Sequence, residues 1–214
     1  MTARLLRALT AGVIFVFAAG VQAEEPDSKP WYVALGAAPA WYNSPGLSQG
    51  GVDASLRLKS PGFGISGAFG RYVDDIKVIR LEGEVLYTQA DVSSVGGVAA
   101  GGDLSSVGLM VNAFYDFNTD SNWTPFIGGG IGYSNVSLNS LSLGGVTVVD
   151  DSNGAFSWQF KTGVSYQLTP SFSINGAYRV YGTDNLSFKD TGGATVNMDG
   201  PLIQMAEFGV RFHF

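Results

Sequence analysis

The last eight residues, EFGVRFHF from Glu207 to Phe214, alternate strictly. Phe208, Val210, Phe212 and Phe214 are apolar, and Glu207, Gly209, Arg211 and His213 stand between them. A period of two marks a β-strand with two unlike faces. The same alternation recurs along most of the chain. It predicts eight strands, at 31–41, 62–72, 76–91, 104–117, 124–137, 155–168, 172–187 and 202–214. No stretch keeps a 3.6-residue period over the length a helix needs.

The connections carry as much information as the strands. Those at 73–75, 118–123 and 169–171 are short, whereas 42–61, 92–103, 138–154 and 188–201 are long and rich in Gly, Ser, Asn and Asp. Short and long connections therefore alternate. An up-and-down barrel in an outer membrane has this asymmetry, with short periplasmic turns and longer external loops. An even strand count puts both ends of the chain on the short-turn side. The expected fold is all-β, an eight-stranded antiparallel up-and-down transmembrane β-barrel.

Face assignment follows from parity. In 155–168, Phe156, Trp158, Phe160 and Val164 oppose Ser157, Gln159, Lys161 and Ser165. In 104–117, Leu109, Val111 and Tyr115 oppose Met110, Asn112, Phe114 and Asp116. In 76–91, Leu81 and Val85 oppose Arg80, Glu82 and Glu84; in 172–187, Ile174 and Tyr178 oppose Ser173 and Arg179. A soluble sandwich would give the same alternation with its polar faces in water. The polar faces here are too rich in Gly and Ser for a solvated surface and suit a crowded, narrow interior. Trp31, Trp41, Tyr72, Trp123 and Tyr166 sit at strand ends, where aromatic girdles meet headgroups. The parity of the first, second and fifth strands stays open, because stretches such as FIGGGIGYS at 126–134 are dominated by Gly.

Composition points the same way. The chain is 45% hydrophobic and only 14% charged, against about 25% charged in ordinary soluble domains. Beyond the N-terminal segment no apolar run is long enough for a membrane-spanning helix. That segment reads as an export signal: Arg4 and Arg7, an apolar core from Ala8 to Gly20, then small residues at Val21 and Ala23. The expected division is a signal peptide at 1–23 and a barrel domain at 24–214. Removing Arg4 and Arg7 from the 12 basic residues leaves 10 against 18 acidic ones, a net −8. Nucleic acid is excluded as a partner, since phosphate binding needs a basic face. With no Cys there is no thiolate metal site.

Glu207, Gly209, Phe212 and Phe214 resemble the C-terminal β-signal by which outer-membrane barrels are recognised by their assembly machinery. YVALGAAPAW, RLEGEVLY, NAFYDF and TPFIGGGIGYS are the stretches most similar to the small barrels of the opacity-protein and surface-antigen family, and to the OmpA transmembrane domain. The resemblance implies residence in the outer membrane of a Gram-negative bacterium. It also implies contact with its lipids and with the barrel assembly machinery. A host or envelope partner would be met through 42–61, 92–103, 138–154 and 188–201.

Parity turns the charges Arg80, Glu82, Glu84, Asp116, Lys161, Arg179, Glu207 and Arg211 toward the lumen, four of each sign. Glu84, Lys161, Arg179 and Glu207 each lie about seven residues from the periplasmic end of their strand, so they share a height near mid-membrane. An eight-stranded barrel is only wide enough for side chains to fill it, so these charges should pair across it. Arg80, Glu82 and Arg211 should extend the network toward the periplasm. The main functional expectation is a structural, loop-displaying surface barrel with a side-chain-filled lumen. A narrow porin-like channel for small solutes is the alternative, in which intramembrane charges would exchange partners. A lipid-modifying barrel enzyme comes third: it needs a nucleophile with a base, and no Ser or Thr clearly shares the height and face of His213, the single His, with a third, orienting carboxylate. No catalytic residue, cofactor or metal site is assigned.

Overall fold

The computed structural model describes residues 29–73 and 76–214. The signal peptide expected at 1–23 lies outside the described residues. Twelve strands are present: β1 (Trp31–Tyr42), β2 (Gly46–Gln49), β3 (Val52–Leu58), β4 (Gly62–Val73), β5 (Ile76–Val95), β6 (Val98–Asp116), β7 (Trp123–Leu143), β8 (Val146–Thr169), β9 (Phe172–Thr183), β10 (Leu186–Lys189), β11 (Thr195–Met198) and β12 (Leu202–His213). Every pairing is antiparallel. Among the described residues no helix is long and apolar enough to cross a membrane.

Eight of the strands pair in a ring, in the order β1, β4, β5, β6, β7, β8, β9, β12 and back to β1. In this ring every strand is paired on both sides, so no open edge is left, the condition for crossing a bilayer with strands. Parity holds where it was assigned. Leu81, Val85, Leu109, Val111, Phe156 and Phe208 are exposed on the outer wall, whereas Glu84, Asn112, Lys161, Arg179 and Glu207 are buried inside. The open parities are settled as well. Leu35, Phe63, Ile65, Phe69, Ile127 and Ile131 face outward. The lumen-facing glycines of β7 leave room for larger neighbours: a Cβ on Gly128 would strike Phe114, and one on Gly130 would strike Asn112. Glycine has no polarity to display, so the alternation in that stretch carried no readable sign.

The long connections differ from expectation. Instead of loops, they are largely strand. β5, β6, β7 and β8 run on past the membrane to tight turns at Gly96-Gly97 and Gly144-Gly145, and β2 and β3 meet at Gly50-Gly51. All three turns have φ near +58° and +84°. Two successive positive φ angles define a type I′ turn, whose twist matches a hairpin. β10 and β11 form a fourth hairpin. The expected strand at 172–187 is correspondingly shorter, ending at Thr183. The strands that stop do so beside residues that cannot continue a ladder: Pro45 after β1, Pro61 before β4, and Pro201 before β12.

Above the membrane β1, β4, β9 and β12 give way to β3, β2, β11 and β10. β3 pairs with β5, β2 with β3, β11 with β2, and β10 with β11. An isolated bridge between Val149 and Asp190 links this set back to β8. The Lys189 amide donates to Asp151 Oδ2 at 2.7 Å and the Thr191 amide to the Val148 carbonyl at 3.0 Å, across the same seam. The barrel wall thus continues outward on a second set of strands.

The candidate site in the barrel lumen

The lumen is filled in tiers. At the periplasmic end Arg80 is 1% exposed. Its Nε donates to both carboxylate oxygens of Asp116, at 2.8 and 2.9 Å, and its Nη1 donates to Tyr32 Oη at 3.0 Å. Tyr32 donates in turn to Glu82 Oε2 at 2.9 Å, and Tyr72 donates to Asp116 at 2.8 Å. The guanidinium plane also lies over the Phe114 ring, 4.4 Å from its centroid. A buried cation with two carboxylates and an aromatic face meets the conditions under which burial is tolerated.

The middle tier is built on Arg179, which is fully buried. Its Nη2 reaches Glu84 Oε1 at 2.5 Å and also pairs with Glu207, which in turn pairs with Lys161. Its Nη1 donates to Gln159 Oε1 at 2.9 Å. Gln159 donates to Glu84 at 2.7 Å and to Asn112 at 2.6 Å. Asn112 Nδ2 donates to Glu84 at 2.8 Å and to Glu82 at 3.3 Å, so it joins the middle tier to the periplasmic one. A cavity of about 20 Å³ lies among Arg80, Glu82, Lys161, Glu207 and Arg211, room for about one water.

Glu84, Lys161, Arg179 and Glu207 thus meet at one height, and Arg80 and Glu82 lie below them. Arg211 stands apart. Among the described residues it has no carboxylate within ion-pair distance, and its guanidinium lies over the Tyr32 ring at 4.8 Å. The nearby acids are already engaged by Arg80. The sequence reading left out Asn112, Gln159 and Tyr32 as partners. Their inward parity was a usable signal for Asn112 and Gln159. Tyr32 lies on the first strand, whose parity was open.

Above the ion pairs the character changes. Ser134, Ser157 and Tyr181 share hydroxyl hydrogen bonds, with Ser134 Oγ 2.5 Å from Tyr181 Oη and Ser157 donating to Ser134 at 2.7 Å. Leu86, Met110, Ile203 and Met205 pack around them. Higher still, all four extracellular hairpins contribute to one apolar core. It holds Leu47 and Leu56 from the first, Val92 and Leu104 from the second, Leu138 and Val149 from the third, and Phe188 and Met198 from the fourth.

The terminal residues occupy the barrel's closing seam. Gly209 lies between Gly36 of β1 and Asn175 of β9. The Phe214 amide donates to the Trp31 carbonyl at 3.0 Å, and its ring lies 6.4 Å from those of Phe212 and Phe69. His213 points inward. Ser173, inward on the adjacent strand, has its Oγ 3.4 Å from His213 Nε2. No carboxylate hydrogen-bonds to His213 among the described residues, so a complete nucleophile–base–acid set is not assembled there. Nor do they contain a cluster of His, Asp and Glu able to hold a metal ion.

The sequence profile of the outer membrane protein beta-barrel domain family matches residues 9–214. The outer membrane protein PagN of Salmonella typhimurium is 30% identical over 82 residues. That match spans 36% of this chain and 34% of PagN, so the chain matches about a third of that relative's length. Neisserial surface protein A superposes with a TM-score of 0.54 at 24% identity, over 86% of this chain and 97% of that one. The outer membrane protein AlkL, solved in lipid bilayers, gives a TM-score of 0.59 at 13% identity, over 94% and 97%. At such identities these two superpositions speak for the fold.

Proposed function

Because the chain belongs to the outer membrane protein beta-barrel domain family, we propose that it works as a sealed barrel presenting a rigid surface outside the outer membrane of a Gram-negative bacterium. The observation that carries this is the apolar core shared by the four extracellular hairpins. Leu56, Leu138 and Phe188 are fully buried in it. A water-filled path would have to cross this apolar layer and then the ion pairs around Arg179. The hairpins stand on the barrel as packed strands, with Asp53, Asp91, Asp150 and Asp199 exposed on their outer side.

The remaining parts of the proposal follow from the sequence. Residues 1–23 direct export and are cleaved after Ala23, leaving 24–214 as the barrel. Arg80, Glu82, Glu84, Lys161, Arg179 and Glu207 hold the wall together from inside, with Arg211 beside them. Glu207, Gly209, Phe212 and Phe214 are presented to the barrel assembly machinery, and the outer wall meets outer-membrane lipids. A host or envelope partner docks on the surfaces of 42–61, 92–103, 138–154 and 188–201. The chain is not an enzyme; its relatives are outer-membrane barrels, and the Ser173–His213 contact is part of the lumen filling.

Two measurements test this. In planar bilayers the purified barrel should show no steady unitary conductance; a stable one would replace the sealed barrel with the narrow channel. Deleting Phe214, or Phe212→Asp, should lower the yield of membrane-inserted protein far more than His213→Ala. Equal yields of the three variants would remove the terminal Phe residues from assembly.

A further inference from the structure

The outer wall is not evenly convex. Two registered rows of outward residues cross β7, β8, β9, β12 and β1. In one, Trp123 pairs with Tyr166, Tyr166 with Ile174, Ile174 with Val210 and Val210 with Leu35. In the next, toward mid-membrane, Val164 pairs with Gly176, Gly176 with Phe208 and Phe208 with Ala37. Side chains fill the first row. The second is interrupted by Gly176, where a Cβ would meet nothing within 4 Å. The result is a lipid-facing groove of about 660 Å³, walled by Phe208, Ile174 and Tyr166. That is the size of a small-molecule pocket, about 300–1,000 Å³.

Its position says which leaflet it serves. Tyr166 lies three residues before the Thr169 end of β8, and Trp123 opens β7, so both sit in the periplasmic girdle; their rings are 4.6 Å apart. Lys29 lies at the periplasmic rim of the same strands, its Nζ donating to Ser171 Oγ at 2.8 Å in the β8–β9 turn. An ammonium has three donors, so two remain for another acceptor.

We propose that this groove seats one acyl chain of an anionic phospholipid of the periplasmic leaflet, with its phosphate at the Lys29 ammonium. Lipid tails are as apolar as the wall, so no hydrophobic gain selects a bound lipid from the bulk; shape and headgroup charge must. The groove supplies the first and Lys29 the second. A second copy of the chain is the less suitable occupant, because two convex barrel walls touch along a line and leave a depression unfilled.

The test is native mass spectrometry of the detergent-solubilised barrel with equal amounts of dioleoyl phosphatidylglycerol and dioleoyl phosphatidylcholine. Wild type should retain a single lipid, with phosphatidylglycerol preferred. Gly176→Leu fills the groove and should reduce total lipid adduct by about fivefold or more. Lys29→Gln should keep an adduct and lose the preference between the two lipids. Heat-shifted gel migration checks that both variants are folded. Phe208→Ala, which removes a wall without adding bulk, should also weaken the adduct. An adduct unchanged in Gly176→Leu, or a headgroup preference unchanged in Lys29→Gln, would overturn the proposal. So would a dimer of the wild type that Gly176→Leu dissolves, since the occupant would then be a second copy.

Discussion

The lumen at mid-membrane and the core above it both close the barrel, with opposite chemistry. Around Arg179 the filling is two acids, two bases and the amides of Gln159 and Asn112, linked in one network. Around Phe188 and Leu56 it is aliphatic and aromatic side chains. The ionic tier is brittle. Each charge is tolerable only while its partners stay, because desolvation has already taken what the pairing returns. The apolar tier yields gradually, since each side chain contributes in proportion to the area and cavity it fills. One tier lies inside the single closed ring, whereas the other is enclosed by the extended ends of β5–β8 and by four short strands, which close back on β8 through the Val149–Asp190 bridge and two hydrogen bonds beside it. Damage to the first should spread through the barrel, and damage to the second should stay outside the membrane.

The largest expected effect is that of Arg179→Ala. It leaves Glu84 and Glu207 without their shared cation and should cost about 3–5 kcal/mol. Urea midpoints in detergent, read by the heat-modifiable gel shift, would check this against Lys189→Ala in the exposed fourth hairpin, expected within about 0.5 kcal/mol of wild type. Equal midpoints would dismiss the ionic tier as a support of the wall. Leu56→Ala should come next, at about 2–5 kcal/mol for a fully buried leucine. Its signature should be different: faster proteolysis of the extracellular hairpins with the membrane ring's gel shift retained. If the gel shift collapses with it, the two regions are one cooperative unit.

A smaller effect is expected from Gly97→Val. Gly97 has a φ of +84°, and a side chain there costs about 1–2 kcal/mol of backbone strain. The loss should appear as local deprotection of the Val95–Val98 hairpin in hydrogen exchange. The smallest effect concerns pH and the seam. The Asp190 carboxyl is held below the usual aspartate range, first by the Gln49 side-chain hydrogen bond and then by the amides of Ala194 and Gly192. A lowered folded-state value means that this tie is fully present above the ordinary aspartate range and is lost as pH falls through the lowered value. Exchange of the Gly192 and Ala194 amides, corrected for intrinsic rate, should therefore rise only on acidification. In Asp190→Ala it should be high at every pH.

Much of the barrel was legible because a sheet with lipid on one side and a packed lumen on the other forces a period of two. Strands with unlike faces, such as that carrying Arg80, Glu82 and Glu84 opposite Leu81 and Val85, declare both their existence and their direction. So does the closing strand at Phe208 to Phe214. The strands rich in glycine were legible as strands but not as faces. Their inward glycines are set by neighbours, Phe114 and Asn112 across β7, that no local pattern names. The hairpins were misjudged for a related reason. Gly, Ser and Asn suggest loops, and the pairs at Gly50-Gly51, Gly96-Gly97 and Gly144-Gly145 were the available sign that those segments turn once and return as strand.

What the sequence determined by itself is therefore what one residue imposes on the next. That comprises the alternation, the short and long connections, the aromatic ends and the inward turn of the charges. Which charges meet was decided only in the closed barrel. Arg179 and Glu84 are 95 residues apart and touch because the ring brings β9 opposite β5, while Arg211, equally inward, finds the nearby acids already engaged by Arg80. The apolar core above them has the same origin. Leu47, Leu56, Phe188 and Met198 lie on four short strands, and it takes the folding of two distant hairpins against each other to give those side chains a common interior.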